Sequence, residues 1–356
     1  MAFLNQIQSK LNEIKIKSIP QVNAVIEHAN QATNKAKQNL IPVFNKCTQQ
    51  LDSFTKVLKA RTFESQVALS IFELIDLLNA NVNPKQSPID LLPSITAFDP
   101  SLENATFNFN YDNSVKLLVE NLGQFGGLSL RWPNNNNNST TSEINGVEEK
   151  KGREGISFFE CSFLEGQQFQ LEQILFHWGT EPMNGSLHTI AGVGYAGEIH
   201  IIHRNTKFPN ITEALKNPEE YGTLFISVFL NETHDDNPIF NPLINVLPQV
   251  KYAGTECPLL EGFKASQLVP LEKSKEFWFF EGSEAVEPFR ETIHWLIWRS
   301  AIPISSGQLE KLRLLRKSRQ EDEVEEPLLN TRPIQPANSR LIRSSFKSAA
   351  QAELPK

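Results

Sequence analysis

A chain of 356 residues, 40% hydrophobic and 21% charged, can form one large domain with an extension, or two domains. Its net charge of −7 gives no general reason to expect nucleic acid as a partner, and no run of about eighteen apolar residues is present to span a membrane. Three cysteines, Cys47, Cys161 and Cys257, are odd in number and lack motif spacing, which predicts free thiols in a reducing compartment. The charge is unevenly spread. Residues 1–64 hold nine Lys or Arg against four acids, so the rest of the chain carries about −12. That contrast argues for two distinct parts.

Residues 1–80 read as a helical extension. Phe3, Leu4, Ile7, Leu11 and Ile14 recur at helical spacing on one stripe. Breaks near Pro20 and Pro42 separate a second and a third segment, the third carrying Val43, Phe44, Cys47, Leu51, Phe54, Val57 and Leu58. A fourth runs to Leu78 with Val67, Ile71, Leu74 and Ile75 apolar. Faces this long must be covered, by the neighbouring domain or one another, or by a protein partner or a membrane surface. The opening MAFLNQIQSKLNEIKIK lacks a signal-peptide core. It is amphipathic, as a mitochondrial presequence is, but contains no arginine and carries Glu13. The cytosol is therefore the expected compartment, with the mitochondrion as the alternative.

From residue 81 the character changes to short β-like runs separated by Pro, Asn and Gly. Residues 134–155 are an Asn-rich and then charged insertion, expected to be flexible. Phe169–Asn205 holds four of the seven histidines and reads as two strands joined by a polar, glycine-bearing connection. Side chains alternate faces along a strand, so 173, 175 and 177 share one face, as do 198, 200 and 202. Inward histidines on a rigid sheet, with polar neighbours to orient them, are a common way to build a zinc site. Thr223–Asn231 predicts a buried strand, Leu268–Leu271 a loop, and Phe277–Trp298 further strand. Ser305–Lys317 predicts a surface helix with Leu309, Leu312 and Leu315 inward. An acidic loop, Glu321–Glu326, follows, and 349–356 is a tail. No P-loop, GxGxxG, nucleophile elbow or CxxC pair is present.

Six short stretches stand out in order along the chain. They are Gln86-Ser87-Pro88-Ile89-Asp90, Leu175-Phe176-His177-Trp178-Gly179, Gly185-Ser186-Leu187-His188-Thr189 and Glu198-Ile199-His200-Ile201-Ile202-His203-Arg204-Asn205. Gly282-Ser283-Glu284-Ala285-Val286-Glu287-Pro288 and Asn330-Thr331-Arg332-Pro333-Ile334-Gln335-Pro336 complete the series. In this order they resemble the α-carbonic anhydrases; the resemblance covers about 86–347 and implies an α+β, mainly β domain over 81–348. Its expected form is a large, mostly antiparallel twisted central sheet with peripheral helices.

By that resemblance the three zinc ligands fall on Leu175, His177 and His200, with Gln173 and Glu198 as their supporting partners. Family chemistry needs zinc on three neutral imidazoles, which brings the pKa of bound water toward about 7. Leu175 has no lone pair to give. The threonine that accepts a hydrogen bond from zinc-bound hydroxide falls on Ala285, and its acidic partner on Leu187. The second threonine becomes Val286, the apolar wall residue becomes Glu284, and the proton-shuttle histidine becomes Gln124, an amide that does not titrate near neutrality. His188 and His203 follow structural positions, and Arg204 reads as surface variation. The pattern is similar to the acatalytic carbonic anhydrase-related proteins. It implies no enzyme activity, zinc binding lost or weak, and a role as a protein-binding or structural subunit, with partners met through residues 1–80. The alternative is a residual or repurposed zinc enzyme whose third ligand is Glu284 or a cysteine.

Overall fold

Runs of β-branched and aromatic residues dictate the architecture. Ile199–Ile202 and Leu224–Leu230 are too continuously apolar to leave either face in water, which marks them as central strands. The computed structural model describes residues 84–93, 96–111, 117–123, 126–131, 157–259, 262–271, 274–329, 331–338 and 340–348. Residues 1–80, expected to be helical, the Asn-rich insertion, the tail and Gln124 lie outside the described residues.

The first strands are β1 (Asp90–Leu91), β2 (Ala97–Phe98), β3 (Phe107–Asn110), β4 (Leu118–Asn121), β5 (Leu128–Arg131) and β6 (Phe158–Cys161). The long central strands are β7 (Phe169–Trp178), β9 (Gly197–Asn205) and β10 (Thr223–Thr233), with the short β8 (Thr189–Ile190) between the first two. After them come β11 (Glu256–Pro258), β12 (Phe277–Gly282), β13 (Ile293–Trp298), β14 (Ile302–Ser305) and β15 (Arg343–Ser344). The α-helices among the described residues are short: α1 (Pro100–Glu103), α2 (Ile211–Ala214), α3 (Asn241–Val246) and α4 (Ser306–Arg313).

Thirteen strands form one sheet in the order β11-β4-β5-β7-β9-β10-β13-β12-β15-β2, with β14 on β10, β6 on β7 and β3 on β6. Pairing is antiparallel except at β10/β13, β10/β14 and β15/β2. The sheet is thus mainly antiparallel, as expected. β1 and β8 form a separate parallel pair.

Alternation divides the core into two clusters on opposite faces. Ile174, Phe176 and Trp178 of β7 join Ile199 and Ile201 of β9 and the inner sides of α3 and α4 in the larger one. Leu175, Ile202, Phe225, Phe229 and Trp295 belong to the smaller one. A bulge between Leu171 and Gln173 resets the register of β7 just before the site, and so fixes which residues face which cluster.

The predicted helix at Ser305–Lys317 starts where expected. Ser305 caps it, and Gln308 completes a reciprocal capping box. It ends at Arg313, earlier than the periodicity implies. Arg316 N instead donates to Lys251 O and Lys317 N to Glu326 O, so tertiary hydrogen bonds replace the last helical turn. Leu309, Leu312 and Leu315 are buried. The predicted loop at Leu268–Leu271 begins with a 3-10 turn, Ala265–Leu268.

Candidate metal centre

Antiparallel register across β7 and β9 sets Leu175 opposite His200, His177 opposite Glu198 and Gln173 opposite Ile202. β5 adds Ser129 beside Leu175, and β10 adds Ser227 beside His200. One transverse row across four strands therefore reads Ser129, Leu175, His200, Ser227. The expected shared face exists, and it is buried. His177 and Glu198 are fully enclosed, His200 is 2% exposed and Leu175 is 5% exposed.

Glu198 is the electrostatic centre of this face. Its Oε1 accepts from Ser227 Oγ at 2.6 Å and pairs with His188 Nδ1 at 2.7 Å and His200 Nε2 at 2.8 Å. Its Oε2 accepts the backbone N–H groups of Leu187 and His188 at 2.8 and 2.7 Å. Burial opposes ionisation, yet attraction to His188 and the hydrogen bonds from His188 and His200 hold the carboxyl well below the usual carboxylate range. Burial pushes the His200 imidazole down, against the opposing pull of Glu198. A neutral His200 that donates Nε2–H to Glu198 keeps its lone pair on Nδ1. The ring of His177 lies beside it, centroid to centroid 4.4 Å.

His188, Glu198 and His200 offer three ligand-type atoms within 4.8 Å of one another. That proximity is the geometry of two hydrogen bonds, with N–H protons between the atoms. Both protons would have to leave before an ion could enter. His188 was expected at a structural position off the zinc face, and the structure makes it a direct partner of Glu198. Its Nε2 is buried with no hydrogen-bond partner among the described residues, and its ring stands 4.9 Å from that of Trp295.

A sequence model of the eukaryotic-type carbonic anhydrases matches residues 76–346. The chain belongs to the carbonic anhydrase family. Human carbonic anhydrase 7 is 30% identical over 265 residues, which cover 74% of this chain and 89% of that protein. Carbonic anhydrase 3 of Bos taurus is 31% identical over 267 residues, 74% of this chain and 90% of that protein. Human carbonic anhydrase 3 is 38% identical over 180 residues; this match spans only 66% of its length and 50% of this chain.

Within this carbonic anhydrase domain the donor set does not fit a three-imidazole zinc site, because the position opposite His200 is the hydrocarbon Leu175. Gln173, without an imidazole at 175 to support, donates from Nε2 to Ser129 Oγ at 2.7 Å. The substitute ligands considered from the sequence are engaged elsewhere. Glu284 is held by the Arg290 guanidinium at 2.7 and 2.8 Å. Cys161 and Cys257 pack into the larger cluster, away from Leu175. Burial pushes the Cys161 thiol up to about 12. Cys47 lies outside the described residues. Leu187 and Ala285 are buried and Val286 half-buried, and none offers a carboxylate or hydroxyl.

One further residue was assigned differently from sequence. Arg204 is not surface variation: it is 9% exposed, with Nε on Glu172 at 2.6 Å and Nη2 on Gln170 at 2.6 Å. Its neighbours across β7 supply the acceptors a buried guanidinium needs. His203 does face away from His200, as alternation requires, and pairs with Tyr111 Oη at 2.7 Å and Leu224 O at 3.2 Å. Sequence reasoning missed Ser227, although it is the one polar residue in Leu224–Leu230.

The flanking motifs serve the frame. Ser87 N donates to Ser283 Oγ at 2.8 Å, and Arg332 Nη2 to Gln86 Oε1 at 2.9 Å. The beginning and end of the domain are thereby fastened beside the 282–290 loop.

Proposed function

We propose that this chain is a catalytically inactive member of the carbonic anhydrase family, akin to the carbonic anhydrase-related proteins, that works in the cytosol as a protein-binding or structural subunit. One observation carries the reading: Leu175 fills the place opposite His200 where a third imidazole would have to lie. Two neutral imidazoles leave zinc short of the donor set it requires. The loss of carboxylate and hydroxyl at Leu187 and Ala285 supports the same conclusion independently, since restoring one position leaves the others apolar. Glu198 and its five hydrogen bonds then serve to stabilise the scaffold. Residues 1–80, basic and striped with apolar residues, are the proposed contact with the partner.

The competing reading is a residual zinc enzyme with a substitute third ligand. The Glu284–Arg290 pair and the placement of Cys161 and Cys257 count against it. Metal analysis of protein purified without chelator, alongside CO2 hydration measured by stopped flow, separates the two. Substoichiometric zinc and hydration at the uncatalysed rate are expected. Stoichiometric zinc with turnover well above background would overturn the proposal. Affinity purification with and without residues 1–80 tests the partner assignment, which fails if the same protein co-purifies equally with both.

A further inference from the structure

On the side of the domain formed by the helices, a groove of about 300 Å³ opens between α3, the 3-10 turn Leu247–Val250, and the C-terminal end of α4. Ile244, Leu247, Pro248 and Leu315 form its apolar lining, and Leu314, 59% exposed, completes it. The charged residues that line it, Lys251, Lys311 and Arg316, are all cationic.

The chain itself demonstrates what this cationic side accepts. Glu325 reaches it from the acidic loop. Its Oε1 accepts from Tyr252 Oη at 2.5 Å and Lys251 Nζ at 3.1 Å, and its Oε2 from Arg316 Nε at 3.1 Å. Those donors, Tyr252 first, bring its carboxyl down to about 2. Lys311 makes no ion pair among the described residues. Three cations and one carboxylate leave this side of the groove with an excess of positive charge.

We propose that the groove binds an amphipathic monoanion, with an acyl chain along Ile244, Leu247, Pro248 and Leu315 and its carboxylate at Lys311 and Lys251. Size favours a small ligand over a docked helix, because the volume sits at the lower end of small-molecule pockets, about 300–1,000 Å³. Charge selects the head group, and the Glu325 contacts show a carboxylate already accommodated by Lys251 and by the neighbouring Arg316. The site is separate from the histidine face, so it stands whether or not the domain is inactive.

Titration of the full chain with decanoate, below the concentration at which it forms micelles, tests this by calorimetry. Decylamine and decanol supply the same tail without the negative charge. Saturable decanoate binding is expected, with both controls at least about tenfold weaker. Lys311→Glu removes one exposed attraction and adds one repulsion, and so should weaken decanoate about tenfold. Leu314→Gln should weaken it through the tail. Both positions are exposed, and an unchanged melting temperature verifies that the variants fold. Equal binding of decanoate and decylamine, uptake only in the micellar range, or indifference to Lys311→Glu overturns the proposal. Displacement of decanoate by an acidic amphipathic helical peptide of higher affinity would assign the groove to a protein partner and overturn it as well.

Discussion

Replacing Leu175 with histidine probes the site most directly. In the absence of metal the variant loses the burial of a leucine that is 5% exposed, worth about 2 kcal/mol. It also buries an imidazole on a face whose other partners are committed, at a further cost of about 1 kcal/mol or more. A loss of roughly 3 kcal/mol corresponds to a fall of about 6–12 °C in melting temperature for a domain of this size. The new imidazole faces His200 across the β7/β9 register, with His177 two residues along β7, so zinc gains a three-imidazole set. At a free concentration one hundred times its dissociation constant, zinc should return about 2.7 kcal/mol, nearly the whole loss. Differential scanning fluorimetry with and without zinc reads both effects, and the natural chain should barely respond. CO2 hydration by the zinc-loaded variant should stay near background, because Leu187 and Ala285 still lack the groups that orient the reaction. Equal zinc stabilisation of the natural chain and the variant would refute the two-imidazole argument. Substantial turnover from this single change would refute the weight placed on Leu187 and Ala285.

Tyr111→Phe removes the hydroxyl that pairs with His203 Nε2 at 2.7 Å, and should cost about 1–3 kcal/mol in urea unfolding by leaving a buried nitrogen without its partner. Burial lowers His203 to about 3 and His294 to about 4, below the ordinary histidine value of about 6.5. Both folded-state values are depressed, so the unfolded chain binds more protons at acidic pH. Stability is full above about pH 6.5 and falls as pH drops toward about 3, by about 4 kcal/mol between pH 7.5 and pH 5 from these two groups. Urea midpoints across that range check the sign, and stability that rises toward pH 5 would contradict it. Ser227→Ala deletes one of the five hydrogen bonds to Glu198 and should lower unfolding free energy by about 1–2 kcal/mol without changing the urea m-value.

Much of the frame was legible in the residues. Period-two patterning placed Leu175, His177 and His200 correctly, because a strand gives no freedom about which side chains share a face. The same rule set His203 on the opposite side. What could not be read were contacts made between distant segments. Arg204 looked like a surface residue because its acceptors, Glu172 and Gln170, lie on another strand, brought close only by the β7/β9 pairing. His188 looked structural because nothing local shows that its Nδ1 meets the Glu198 carboxylate ten residues on. The end of α4 was missed for the same reason, since the backbone partners that stop it come from Lys251 and Glu326.

The sequence by itself determined the sheet-forming runs, the family and the leucine at position 175, because each depends on residue type at fixed spacing along the chain. Only the tertiary structure decided that Glu198 gathers five donors, that Glu284 pairs with Arg290 while Cys161 and Cys257 pack in the larger cluster, and that Lys251, Lys311 and Arg316 line one groove. Those facts depend on distances between segments, and such distances exist only once strands have paired and helices have packed against them.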